Sequence, residues 1–162
     1  MKTMKPQWPD SLLLSRIREL LLRRRIENKE VGIDDRDNIF DTKLLCILGE
    51  ELCRTRHGAK RAKAVNQEGW DLVDAQGRKI QVKTRAVYRH NADGIHIDFK
   101  ALAFDDFYLV LVDEELNLLG EGLIAKERLA RVVAHEKSGK LRLRDIRRRH
   151  AEYLALVQKA VA

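Results

Sequence analysis

Leucine and isoleucine return at helical spacing over the first third of this chain and at strand spacing through its middle. From Ser11 to about Asn28 an apolar stripe of Leu12, Leu13, Ile17, Leu20 and Leu21 predicts a helix, with Asp10 or Ser11 as N-cap. Arg23, Arg24 and Arg25 fall in its final turn, where cations suit the helix dipole. Pro6 and Pro9 bracket Trp8, so the segment before this helix is extended or turning. Val31 to Asn38, rich in Asp and containing Gly32, reads as a linker. A second helix is predicted from Asp41 or Thr42 to about Arg56, burying Leu44, Leu45, Ile47, Leu48 and Leu52. His57-Gly58 ends it, and Lys60, Arg61 and Lys63 follow as a basic loop.

The period then changes to two. Gly69 to Lys83 reads as two strands joined by a Gly-containing turn, with Asp71 on the first strand and Gln81 and Lys83 on the second. Ile95 to Phe99 alternates as a half-buried strand does. Phe107 to Val112 is continuously apolar, as in a central strand covered on both faces. Leu116 to Ile124, interrupted by Gly120 and Gly122, is the next strand candidate. Lys126 to His135 reads as helical, Ser138-Gly139 as a break, Leu141 and Leu143 as a short edge strand, and Asp145 to Ala162 as a closing helix. No internal repeat or low-complexity tract is present. Helices before and after a run of strands predict an α/β sandwich around a mixed sheet.

At 162 residues the chain fits one domain, 1–162. Its 44% hydrophobic and 35% charged residues argue against disorder. No apolar run is long enough to cross a bilayer, so no membrane association is expected. Arg16 and Arg18 break the only apolar stretch near the start, which argues against a secretory signal. Cys46 and Cys53 stand roughly two helical turns apart on one predicted helix, too far for a disulfide. Reduced thiols in a cytoplasmic protein account for them. The net charge of +7 favours polyanions, nucleic acid above all, although a basic solvated surface gives the same balance. Aromatics are 6% and form no stacking platform of the kind single-strand binders use.

The hairpin narrows this. Side chains alternate along a strand, so Gln81 and Lys83 share one face, and Arg85 joins them if the strand continues. A carboxylate, an amide and an ammonium brought together can hold a hard divalent cation and aim a water at phosphorus. Asp71 is the first ligand candidate and the Val82 carbonyl the second; Lys83 would position the water, and Gln81 stands where an acid is commoner. A further acid is expected from the preceding helix. Glu51 points nearer the apolar stripe and Glu50 lies at its other edge, so helical angle leaves both open. Lys60, Arg61, Lys63, Arg85 and Arg89 are candidate phosphate contacts. A second basic cluster, Arg142 to Arg149, fits a solvated helix face as well as it fits DNA.

Glu50, Asp71, Gln81 and Lys83, in this order and spacing, resemble the PD-(D/E)xK nuclease superfamily in its QxK variant. More closely, Leu48-Gly49-Glu50, Asn66 to Asp71, Gln81 to Arg85 and Phe104 to Val112 resemble small bacterial proteins of that fold. The resemblance covers a core of about 40–135, leaving helical extensions at 11–28 and 145–162. It implies a restriction-endonuclease-like mixed central β-sheet flanked by helices, with extra N- and C-terminal helices. It also implies a Mg²⁺ (or Mn²⁺) site held by Asp71, Glu50 and Val82, favours Glu50 over Glu51, and implies hydrolysis of DNA phosphodiesters. A homodimer is the expected assembly for cutting both strands. The competing expectation is a catalytically silent module that binds nucleic acid, or a subunit of a larger DNA-processing assembly.

Overall fold

A computed structural model describes residues 6–33, 39–62, 69–86, 97–98, 103–128 and 140–141. Two helices, α1 (Leu12–Glu30) and α2 (Thr42–His57), precede a five-stranded sheet. Its strands are β1 (Lys60–Arg61), β2 (Leu72–Val73), β3 (Lys79–Ala86), β5 (Asp106–Val112) and β6 (Leu118–Ala125), adjacent in that order. β3 and β5 run parallel and the other neighbours antiparallel, so the sheet is mixed as expected. β4 (Ile97–Asp98) and β7 (Lys140–Leu141) form a separate two-stranded ladder. Lys140–Leu141 is thus a short edge strand, as expected, of this ladder rather than of the main sheet, and Leu143 lies outside the described residues. Residues as far apart in the chain as 97–98 and 140–141 leave no local pattern that would show their pairing. A helical turn at 126–128 starts where one was expected, and no described helix is long and apolar enough to cross a membrane.

Each helix starts on a side-chain oxygen. Ser11 accepts from the Leu14 amide and Asp41 from the Leu44 amide at 2.8 Å. That hydrogen bond, joined by Arg24, holds the Asp41 carboxyl below its ordinary range. Helix α2 ends at Gly58, whose φ of +64° is the left-handed cap that glycine adopts without strain.

The buried face of α1 is Leu14, Ile17 and Leu21, while Leu12 is 76% exposed and Leu13 and Leu20 also face outward. This corrects the expected stripe. Leucine runs at 12–14 and 20–22 support two stripes about one residue's rotation apart, and contact with α2 selects the one through Leu14. The helix also runs past Asn28, so Arg23, Arg24 and Arg25 lie before the final turn. They act as lateral ties instead. Arg24 pairs with Asp41, and Arg25 donates to the Glu114 carbonyl and lies over Phe40.

Behind α2, Leu45, Leu48 and Leu52 pack on Ile80, Val82, Tyr108 and Val110 in one continuous core. Leu44 and Ile47, expected inside, are half-buried at its border. Every residue of β5 is buried, as a central strand covered on both faces requires. Helix and sheet meet most closely at Gly49, where an added Cβ would lie 1.7 Å from Thr84 Oγ1. Only glycine permits that approach.

Candidate active site

Strand β3 alternates strictly. Ile80, Val82, Thr84 and Ala86 are buried, whereas Gln81, Lys83 and Arg85 are half-buried on the opposite face. β2 pairs with β3 only at Leu72 with Ile80 and Val73 with Lys79. Past Gln81, no described strand covers that edge of β3. The shortness of β2 also places Asp71 just before the strand rather than within it. Its backbone still ties to both neighbours, its amide donating to the Ile80 carbonyl and its carbonyl accepting from the Ala62 amide.

The Asp71 carboxylate turns into the gap left by the missing pairing. Oδ2 accepts from the Val82 amide at 2.8 Å and from Gln81 Nε2 at 2.7 Å. Within one strand residue the N–H and C=O face the same edge, so the Val82 carbonyl looks to this side too, 3.4 Å from Gln81 Nε2. Burial raises the Asp71 carboxyl above its ordinary range, opposed by the Val82 hydrogen bond, the charge of Lys83 and the Gln81 hydrogen bond.

Of the two helix acids, Glu50 is the one whose carboxyl bears the charge of Asp71. Burial raises its carboxyl, and the Asp71 charge raises it further against Arg61 and Arg54. Glu51 lies deeper, 12% exposed, and is taken by Arg54 at 2.7 Å. A helical turn before Glu50, Cys46 feels the charges of Arg85, Lys83, Glu50 and Asp71 while remaining exposed. From the sequence, Cys46 reads only as a reduced thiol. Its signal was the four-residue spacing to Glu50, which puts both on one helix face.

Arg61 and Lys60 belong to edge strand β1, not to a loop, pairing with Leu72 and Val73. Their charges made a loop the natural expectation; the two-residue match to β2 overrides it. Arg61 Nε lies 3.7 Å from Glu50 Oε2. Arg85 is on the Lys83 face as expected and donates to the Thr84 carbonyl at 3.0 Å. Lys79 reaches over the Trp70 ring, 5.3 Å from its centroid. Lys63, Arg89 and the Arg142 to Arg149 cluster lie outside the described residues.

The turn between β2 and β3 is held by side chains that sequence reasoning passed over. Asp74 Oδ1 accepts from the Gln76 and Arg78 amides, and Gly77 takes a φ of +79°. Arg78 grips Asp106 through two hydrogen bonds of 2.8 and 2.9 Å, while Asp105 accepts from the Lys79 amide. These ties fix the register of β3 against β5, and with it the positions of Gln81 and Lys83.

Do the residues fit a divalent cation? Among the described residues, no group of three or more His, Cys, Asp and Glu side chains could hold one. Two acids are present, Glu50 and Asp71, and among the described residues both hydrogen bonds to the Asp71 carboxylate fall on Oδ2. With the Val82 carbonyl they form an all-oxygen donor set suited to Mg²⁺, which keeps several waters and takes few protein ligands. Two partly buried, mutually repelling carboxylates are also relieved by a cation. The fit holds for a hard ion with an incomplete protein shell.

Compared with known protein families, the chain matches no family model. No curated protein matches it by sequence either.

Proposed function

We propose that this protein is a Mg²⁺- or Mn²⁺-dependent phosphodiesterase acting on DNA, with a restriction-endonuclease-like fold of the PD-(D/E)xK kind. One observation carries the proposal: at the edge of β3 that no described strand covers past Gln81, Asp71, from just before β2, is held by Gln81 and the Val82 amide, feels the charge of Lys83 and bears on the carboxylate of Glu50 in α2. A basic surface with Arg61 and Arg85 beside that edge suits a phosphate backbone.

When bound, the cation supplies Lewis-acid activation of the phosphoryl group and a nucleophile at neutral pH. Asp71 and Glu50 hold it, with the Val82 carbonyl. Gln81 orients the Asp71 carboxylate by donating to its Oδ2. Lys83, whose charge acts on Asp71 from the same face of β3 as Gln81, would orient the attacking water and offset negative charge on the phosphate. Lys60, Arg61 and Arg85 contribute phosphate contacts, and Lys63 and Arg89 are proposed in the same role from sequence. A homodimer supplies two such sites for duplex cleavage.

Supercoiled plasmid incubated with Mg²⁺ or Mn²⁺ tests the proposal. Nicking or linearisation is expected, falling at least about 100-fold in Lys83→Ala and Asp71→Ala. A wild type that binds metal and folds but never cuts plasmid, branched DNA or RNA would sink it. A second reading is favoured by the amide at Gln81 and the lack of a third acid among the described residues: a nuclease-fold platform that binds nucleic acid, or serves a larger assembly, without cleaving.

A further inference from the structure

Arg61 stands on the edge strand and was expected to touch phosphate, yet in the structure it faces an acid. Its Nε lies 3.7 Å from Glu50 Oε2, the one ion pair that it makes among the described residues. The arginine side chain is 54% exposed and the glutamate 22%. The pair is therefore long, wet on one side and easily exchanged. Glu50 is also half-buried and under the charge of Asp71, so its carboxylate gains from positive charge nearby. Arginine is permanently charged and can serve as that source.

We propose that Arg61 is an exchangeable counter-ion for Glu50: it holds the carboxylate before a divalent cation arrives and is released to a DNA phosphate once the cation has taken its place. The inference rests on the proposed metal site and adds to it a coupling between metal and DNA. Arg61 and the cation compete for one carboxylate, whereas the released guanidinium is a donor fork suited to a phosphate. Metal and DNA then favour one another's binding, and by linkage the factor is the same in both directions. Arg61 is thus a positioning residue acting through Glu50 as well as a phosphate contact.

The test is Mn²⁺ binding, by calorimetry on the full chain, to the wild type, Arg61→Ala, Arg61→Gln and Glu50→Gln. Removing the competitor should tighten Mn²⁺ roughly 2- to 5-fold in both Arg61 variants, the scale of an exposed ion pair. Raising the salt concentration should erase the difference. Damage to the fold would weaken the metal, so tightening is a readout that a merely structural role does not produce. Duplex binding, followed by fluorescence anisotropy in a Lys83→Ala background, should respond to Mn²⁺ when Arg61 is present and lose that response in Arg61→Ala. Unchanged or weaker Mn²⁺ binding in both Arg61 variants, beside a wild type that binds Mn²⁺ through Glu50, would overturn this inference and leave the nuclease proposal standing. A wild type that binds no Mn²⁺ would overturn both.

Discussion

Helix α2 helps to build two clusters of charge, and they are finished to different degrees. Near its C-terminal end, Glu121 accepts from Tyr108 and from Arg56, with Arg56 also donating to the Gln7 carbonyl at 2.6 Å. Cys53 and the edge-on His57 ring close the same cluster, the ring centroid 5.3 Å from that of Tyr108. In its middle, Asp71 has Gln81 and the Val82 amide as donors, whereas Glu50, under the Asp71 charge, has an arginine no nearer than 3.7 Å and no hydrogen-bond donor to its carboxylate among the described residues. The first cluster uses its charges on itself, which is what structure requires of buried polar groups. The second leaves demand unmet, which is what a ligand supplies.

The difference can be broken by mutation, beginning where most stability is at stake. Tyr108→Phe should cost about 1–2 kcal/mol in urea unfolding, since it removes a hydrogen bond to a charged acceptor inside the core. If it costs nothing, the Glu121 cluster is no better satisfied than the Glu50 one. Glu50→Gln should have the opposite sign, stabilising the metal-free protein by on the order of 1 kcal/mol, as removal of functional strain does. The pH dependence follows from the raised Glu50 carboxyl. Its destabilisation is absent below the ordinary glutamate range, grows as pH rises through the raised folded value, and is fully present above it. The gain from Glu50→Gln should therefore shrink on acidification and be matched, in the wild type, by saturating Mg²⁺. A constant gain across pH would trace it to something other than charge.

The thiols sharpen the contrast at the smallest scale. Cys53 is fully buried, with its thiol pushed up to about 12 by burial and by Glu121, and it should react with a disulfide reagent only on unfolding. Cys46 is exposed beside Lys83 and Arg85, which oppose the upward push of its partial burial. One thiol should thus titrate in the native protein, and Cys46→Ser should abolish that signal.

Much of this arrangement was legible in the residues, and the gaps have physical causes. Period-two alternation located β3 and its Gln81, Lys83 and Arg85 face, and unbroken apolarity located β5. Cap chemistry placed the starts of both helices to within a residue. The stripe of α1 went astray because leucine triplets leave helical phase undetermined until a neighbour selects it. Edge strand β1 was hidden by its charge, and the different surroundings of Glu50, under the Asp71 charge, and Glu51, paired with Arg54, by a helical angle that sequence leaves open. Ties such as Arg78 to Asp106, or Tyr108 to Glu121, join residues remote in sequence and leave no local pattern.

Gly49 gives this docking a consequence for how the molecule could change over time. With no methyl at that position, α2 rests directly on Thr84, and the next residue along is Glu50. The depth of that seat sets how far the helix acid reaches toward Asp71. Any larger residue at 49 would act as a shim, lifting the helix and drawing the two carboxylates apart while every proposed ligand stayed in the sequence. Drift at this one silent position could thus retire the site before any acid was lost.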